Sequence, residues 1–71
     1  SFVLNLFYEA FKNKVKLGRR SISQKAFENN MHLSEYDVRA ILHQLQDLGY
    51  VNIGHGRGGS TITRKGIDLF N

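Results

Sequence analysis

Three groups of side chains in this sequence are equipped to meet a ligand at a surface. The first lies in residues 34–48, where the apolar residues Val38, Ile41, Leu42, Leu45 and Leu48 recur at i, i+3, i+4, i+7 and i+10. That spacing makes one helical stripe and leaves Tyr36, Arg39, Ala40 and His43 on other faces. The second is Ser34, whose hydroxyl and neighbouring helix-start amides suit an anion such as a phosphate. The third is the pair His55 and Arg57, which project from a loop containing Gly54, Gly56, Gly58 and Gly59. Glycines there let the backbone take positive φ and approach another surface closely, so the tip is expected to be flexible and cationic.

Other chemistries fit these residue types less well. His32, His43 and His55 fall at spacings that match no standard zinc pattern, and the chain has no cysteine to complete one; no metal site and no cofactor are expected. Gly54, Gly56 and Gly59 formally spell G-x-G-x-x-G. A dinucleotide fold would also need a following helix, a second parallel strand and an acid ~20 residues on, and the chain is too short beyond Gly59 to supply them. No Ser, His and acid grouping stands out. A chain of 71 residues makes one small domain, residues 1–71, near the size where a single core yields only a few kcal/mol of net stability. A deep catalytic pocket is not expected, and the chain is read as no enzyme.

Charge narrows the partner class. Ten Lys and Arg against six Asp and Glu give a formal charge of +4, with a sequence pI near 9.8, which suits a polyanion. No apolar run approaches the ~18 residues of a membrane span, and no signal peptide is visible. The expected location is cytoplasmic, in association with the nucleoid. The chain does not begin with Met, which suggests a fragment of a longer protein or a processed start.

The elements that must position these residues can be read from caps and periods. Residues 2–16 favour a helix, rich in Leu, Ala, Glu and Lys, with Gly18 as its stop. Arg19 to Ile22 reads as a short extended piece, because Ser23 is a good N-cap for a second helix running to about Asn30. After a short turn, Ser34 with Asp37 three residues on resembles a capping box, and Gly49 closes the helix that it opens. From Tyr50 the period becomes two, and Ile62 lies between Thr61 and Thr63 across the glycines, so a hairpin is predicted. Thr63 can cap a last helical turn, residues 64–70, whose Ile67 and Phe70 return to the core.

Two stretches carry a family resemblance. LSEYDVRAILHQLQDLGYV has a Leu-Ser helix start, a Val-Arg pair, a regular Leu ladder and a Gly followed by an apolar pair, and GRGGSTITRKGIDLF looks like a wing whose returning strand ends in Ile-Thr before Lys-Gly and a terminal helix. From Ser23 onward the chain resembles the winged helix-turn-helix domains of prokaryotic and phage transcription regulators. The fold that this implies is α+β, a three-helix core with a two- to three-stranded hairpin wing and a short C-terminal helix.

The resemblance implies sequence-specific binding of double-stranded DNA, with the helix of residues 34–48 in the major groove and the wing, residues 54–60, on the backbone or the minor groove. The major groove admits a helix and displays distinct donor and acceptor patterns, so this assignment agrees with elementary geometry. The candidate DNA-binding residues are Arg20, Ser23, Lys25, Ser34, Tyr36, Arg39, His43, His55, Arg57, Arg64 and Lys65. Arg39 can donate two hydrogen bonds to a guanine edge, and Tyr36 can contact a phosphate or a thymine methyl. Glu35, four residues before Arg39, offers that guanidinium a plain surface partner instead. The alternative for the whole domain is a winged helix protein-interaction module; RNA binding fits less well, because paired aromatics on strands are absent. Clustering of Arg19, Arg20, Lys25, Arg39, Arg57, Arg64 and Lys65 on one face would favour DNA, and their dispersal a protein partner.

The first helix adds one more expectation. Phe2, Val3, Leu4, Leu6, Phe7, Tyr8, Ala10 and Phe11 cover well over half of its circumference. Such a helix is either buried centrally in the core or offers a second surface, in which case a homodimer through Leu4 and Tyr8 is expected.

Overall fold

The computed structural model describes residues 1–54 and 59–71. Its elements are α1 (Phe2–Lys12), α2 (Arg19–Glu28), α3 (Glu35–Asp47), β1 (Val51–Asn52), β2 (Thr61–Ile62) and α4 (Arg64–Asp68). Three helices, an antiparallel hairpin and a short terminal helix in this order are the α+β fold expected from the sequence, with a winged-helix-like topology.

The firmest element is α3. The Ser34 Oγ accepts from the Asp37 N–H (3.1 Å), and the Asp37 carboxylate accepts from the Ser34 N–H (2.9 Å), completing the capping box. The helix turns Val38, Leu42 and Leu45 inward. It ends at Gly49, whose φ of 83° lets the Tyr50 N–H donate to the Leu45 carbonyl at 2.8 Å. Leu48, expected in the apolar stripe, is 54% exposed. Ten residues at about 100° each leave it about 80° off the direction of Val38, at the edge of the buried face.

Two helix boundaries differ from expectation. The first helix stops at Lys12, well before Gly18: Lys14 enters the left-handed region at φ 59°, and the Val15 N–H donates to the Ala10 carbonyl at 2.9 Å. Gly18 is instead the N-cap of α2, which opens at Arg19 rather than after Ser23. Ile22 and Ala26, four residues apart and both 0% exposed, need a common helical face, and that face requires the helix to begin earlier. The extended backbone expected over Arg19 to Ile22 falls earlier, at Leu17, which lies two residues before Arg19 and pairs with Ser60.

The core closes over α1. Phe7, Ile22, Val38 and Val51 are at most 1% exposed, and Val3, Leu4 and Ala10 join them while Phe2, Leu6 and Tyr8 pack at the margin. Leu4, expected to be either central in the core or on a second surface, is 5% exposed and packs in the core. Tyr8 is half-buried and stacks on Phe70 with ring centroids 4.3 Å apart. Ile67 and Phe70 return to the core as expected.

In the hairpin Val51 faces Ile62 and Asn52 faces Thr61, so the two buried side chains share one face. Its base is tight. A Cβ on Gly54 would overlap the Gly59 carbonyl, and one on Gly59, at φ 75°, would lie 2.9 Å from the Leu17 backbone. The Thr63 hydroxyl donates to the Gly49 carbonyl (2.6 Å) while its oxygen accepts from the Gly66 N–H (3.1 Å), joining the end of α3 to the start of α4.

The left-handed Lys14 gives a direct test. Replacing it by Gly removes the Cβ penalty of that conformation and should raise stability by about 0.5–1 kcal/mol after the added entropy of the unfolded chain. Urea unfolding should show a higher midpoint at unchanged slope; an unchanged or lower midpoint would mean that the Lys14 side chain contributes contacts that offset the strain.

Candidate nucleic-acid interface

The residues of α3 that the core does not use form a second stripe. Tyr36, Arg39 and His43 are spaced i, i+3 and i+7, so they lie on one face, and all three are exposed, Tyr36 to 83%. Among the described residues the ion pairs are Glu9 with Lys12 and Arg64 with Asp68. The Arg39 guanidinium is thus not joined to Glu35 and remains available to an outside acceptor.

Arg39 and His43 also line a cleft of about 480 Å³ closed by the start of α2 and the base of the hairpin, with Gly18, Arg19, Leu42, Ile53, Gly54, Gly59 and Ser60 as its other walls. Three contacts hold these walls together. Leu17 and Ser60 exchange backbone hydrogen bonds (3.2 and 2.7 Å). The Ile53 N–H donates to Gln46 Oε1 on α3 (2.9 Å), and the Gly54 N–H donates to the Ser60 hydroxyl oxygen (3.2 Å).

Electrostatically, the start of α2 is unusual among the helix starts of this chain. Gly18 supplies no side-chain cap, no acid stands in the first turn, and Arg19 and Arg20 occupy it. Unpaired N–H groups already give a helix start partial positive charge, and each cation there costs about 0.3–1 kcal/mol. Such a combination suits an anion. Arg19 brings this charge into the same cleft as Arg39.

The remaining candidates fall in different places. Arg20 and Lys25 are exposed on α2. The Ser23 hydroxyl is turned inward and donates to the Leu33 carbonyl (2.6 Å), tying α2 to the turn; Ser34 is engaged in its capping box. Arg64 Nε donates to Asp68 (3.0 Å). Lys65 Nζ donates to the Leu48 carbonyl (2.9 Å) and stands 5.3 Å over the Tyr50 ring. These last two cations sit at the C-terminal end of α3, about 20 Å from its start by helix rise. Arg19 and Arg39 thus share the cleft, whereas Lys65 reaches the C-terminal end of α3. His55 and Arg57, with the expected freedom of the wing tip, lie outside the described residues.

Arg19, expected among the cations but not among the candidate contacts, lines the cleft with Arg39. The i, i+4 pair Ile22 and Ala26 was the available signal: it marks a helix whose start would present Arg19 and Arg20. Among the described residues no helix is long and apolar enough to cross a membrane.

Arg19→Glu should raise stability, by about 0.5–1 kcal/mol at low salt, since it removes a cation from a helix start and places an anion there. Thermal melts should show the gain shrinking in high salt; a loss of stability would mean that Arg19 is structurally required. No family model, no curated protein and no solved structure matches this chain, so the functional reading rests on the geometry and charge of the surface itself.

Proposed function

We propose that this domain binds double-stranded DNA sequence-specifically, as the DNA-binding domain of a transcription regulator. The observation that supports this reading is the meeting of Arg39 and His43 on α3 with Arg19 at the uncapped start of α2. A helix with a free donor stripe, flanked by a cationic helix start, matches the needs of groove entry: the stripe reads base edges while the helix start holds a phosphate. In this reading Arg39 donates to a guanine edge, Tyr36 and His43 contact the backbone or base edges beside it, and Arg19, Arg20 and Lys25 neutralise phosphates. The wing, residues 54–60, brings His55 and Arg57 to the backbone or the minor groove.

Arg64 and Lys65, candidates as well, are held by partners within the chain, Asp68 and the Leu48 carbonyl, outside the lining of the Arg39 cleft. Their separation from the other cations is the observation that favours the alternative, a winged helix module that binds protein. The two readings differ in salt dependence. About 4–5 phosphate contacts would give a log K against log salt slope of about −4 on duplex DNA. A flat dependence, or no binding at low salt, would refute the DNA reading.

On a selected site, Arg39→Ala should lose about 1–3 kcal/mol and relax preference at one base position, whereas Lys25→Ala should weaken all duplexes alike. Arg19→Glu should weaken binding while stabilising the fold. Equal losses from Arg39→Ala on selected and random duplexes would remove Arg39 from the reading role.

A further inference from the structure

A second recess lies between the C-terminal half of α1 and β2, and it shares only Ser60 with the cleft of Arg39. Its volume is about 280 Å³ and its floor is apolar, built from Phe7, Ala10 and Ile62. Phe11 and Val15 form its walls although they are 50% and 53% exposed. Beside Ser60 and Thr61, the polar part of the lining is Lys14 and Lys16. Both are exposed, and neither makes an ion pair among the described residues. From Ala10 to Phe27 the chain contains no Asp or Glu at all.

From this arrangement we propose that the groove is a docking site for an acidic, amphipathic segment of a partner protein. Apolar side chains of the partner fill the space over Phe7 and Ile62, and its carboxylates meet Lys14 and Lys16. The backbone supplies an independent reason. Lys14 occupies the left-handed position that closes α1, with φ 59°, where glycine is the unstrained choice. A side chain kept in a costly conformation at the rim of a groove points to a role for that side chain. The Lys14 N–H donates to the Phe11 carbonyl (3.1 Å) and the Val15 N–H to the Ala10 carbonyl (2.9 Å), so the strained turn sets both a cation and an apolar wall at the recess.

Charge and shape select the occupant. Nucleic acid is poorly suited, because its phosphates could meet the two lysines but would leave the apolar floor of Phe7, Ala10 and Ile62 uncovered. A second copy of this chain in a two-fold contact would set the same basic rim against itself. An amphipathic helix laid in the groove satisfies both surfaces, with leucines spaced three and four residues apart as anchors. It would leave Arg39 and His43 open, so the proposal stands apart from DNA binding.

The test uses a fluorescein-labelled peptide of about 15 residues with leucines at helical spacing and glutamates elsewhere. Two controls replace every Glu by Lys or every Leu by Ser. Fluorescence anisotropy should show the acidic peptide binding about tenfold or more tightly than either control. Amide NMR shifts should centre on Phe11, Val15 and Ile62. The double variant Lys14→Glu, Lys16→Glu, which alters only exposed side chains, should lose that binding about tenfold or more and accept the lysine peptide instead. Phe11→Ser should weaken the acidic peptide without unfolding the domain. Binding indifferent to the sign of the peptide charge, shifts centred on Arg39 and His43, no binding at all, or concentration-dependent self-association abolished by Phe11→Ser would each overturn the proposal.

Discussion

The exchange of two backbone hydrogen bonds between Leu17 and Ser60 governs how the parts of this domain face one another. Each strand of the hairpin has only two residues, and an isolated two-stranded hairpin of that size is marginal in water. The Leu17 pairing ties it to the segment that opens α2, and the Gln46 side chain ties its other strand to α3. Ser60 is the junction: its backbone pairs with Leu17, its hydroxyl accepts from Gly54, and it is 5% exposed. The glycines on either side permit this closeness for different reasons. Gly59 has both a positive φ and backbone against it, whereas Gly54 needs only the absence of a Cβ. A displaced Ser60 would separate the three walls of the Arg39 cleft together, so fold and candidate site depend on one contact.

That contact explains what the sequence could and could not reveal. The third helix was legible up to the exposed Leu48 at its end, because a capping box, a 3.6-residue period and a terminal glycine are all local signals. The same is true of Thr63 as a cap and of the return of Ile67 and Phe70 to the core. Gly18 was ambiguous, since glycine serves both after a helix end and at a helix start, and the true end of α1 is a lysine in a conformation that residue type does not announce. Leu4 was ambiguous for another reason. A helix apolar around most of its circumference carries no periodic indication of which side faces inward, and only the packing of α4 and β2 against it decides.

The candidate site was legible to the same degree. Tyr36, Arg39 and His43 could be placed outside the core because their helix was firmly phased. Arg19 could not be placed beside Arg39, because their proximity follows from α2 beginning at Arg19 and packing on α3, which no local signal announces. Nor could the internal partners of Arg64 and Lys65 be foreseen. The Leu48 carbonyl that receives Lys65 becomes available only when α4 folds back across the end of α3.

Two helix starts with similar composition have opposite solutions. Both α2 and α4 begin with two cations and no acid, an arrangement that the partial charge of a helix start disfavours. At α4 the chain compensates internally: Thr63 caps the helix, Asp68 pairs with Arg64, and Lys65 reaches the Leu48 carbonyl. At α2 Gly18 offers no side-chain cap, and neither Arg19 nor Arg20 has an acidic partner among the described residues. In a domain this small, where each such cation costs about 0.3–1 kcal/mol out of a net stability of only a few kcal/mol, one helix start is repaired and the other is left open. The open one borders the cleft that holds Arg39. An anion brought by a partner would supply there what Asp68 and Thr63 supply at α4, and the difference between the two starts favours the cleft over the cationic end of α3 as the surface for the proposed phosphate contacts.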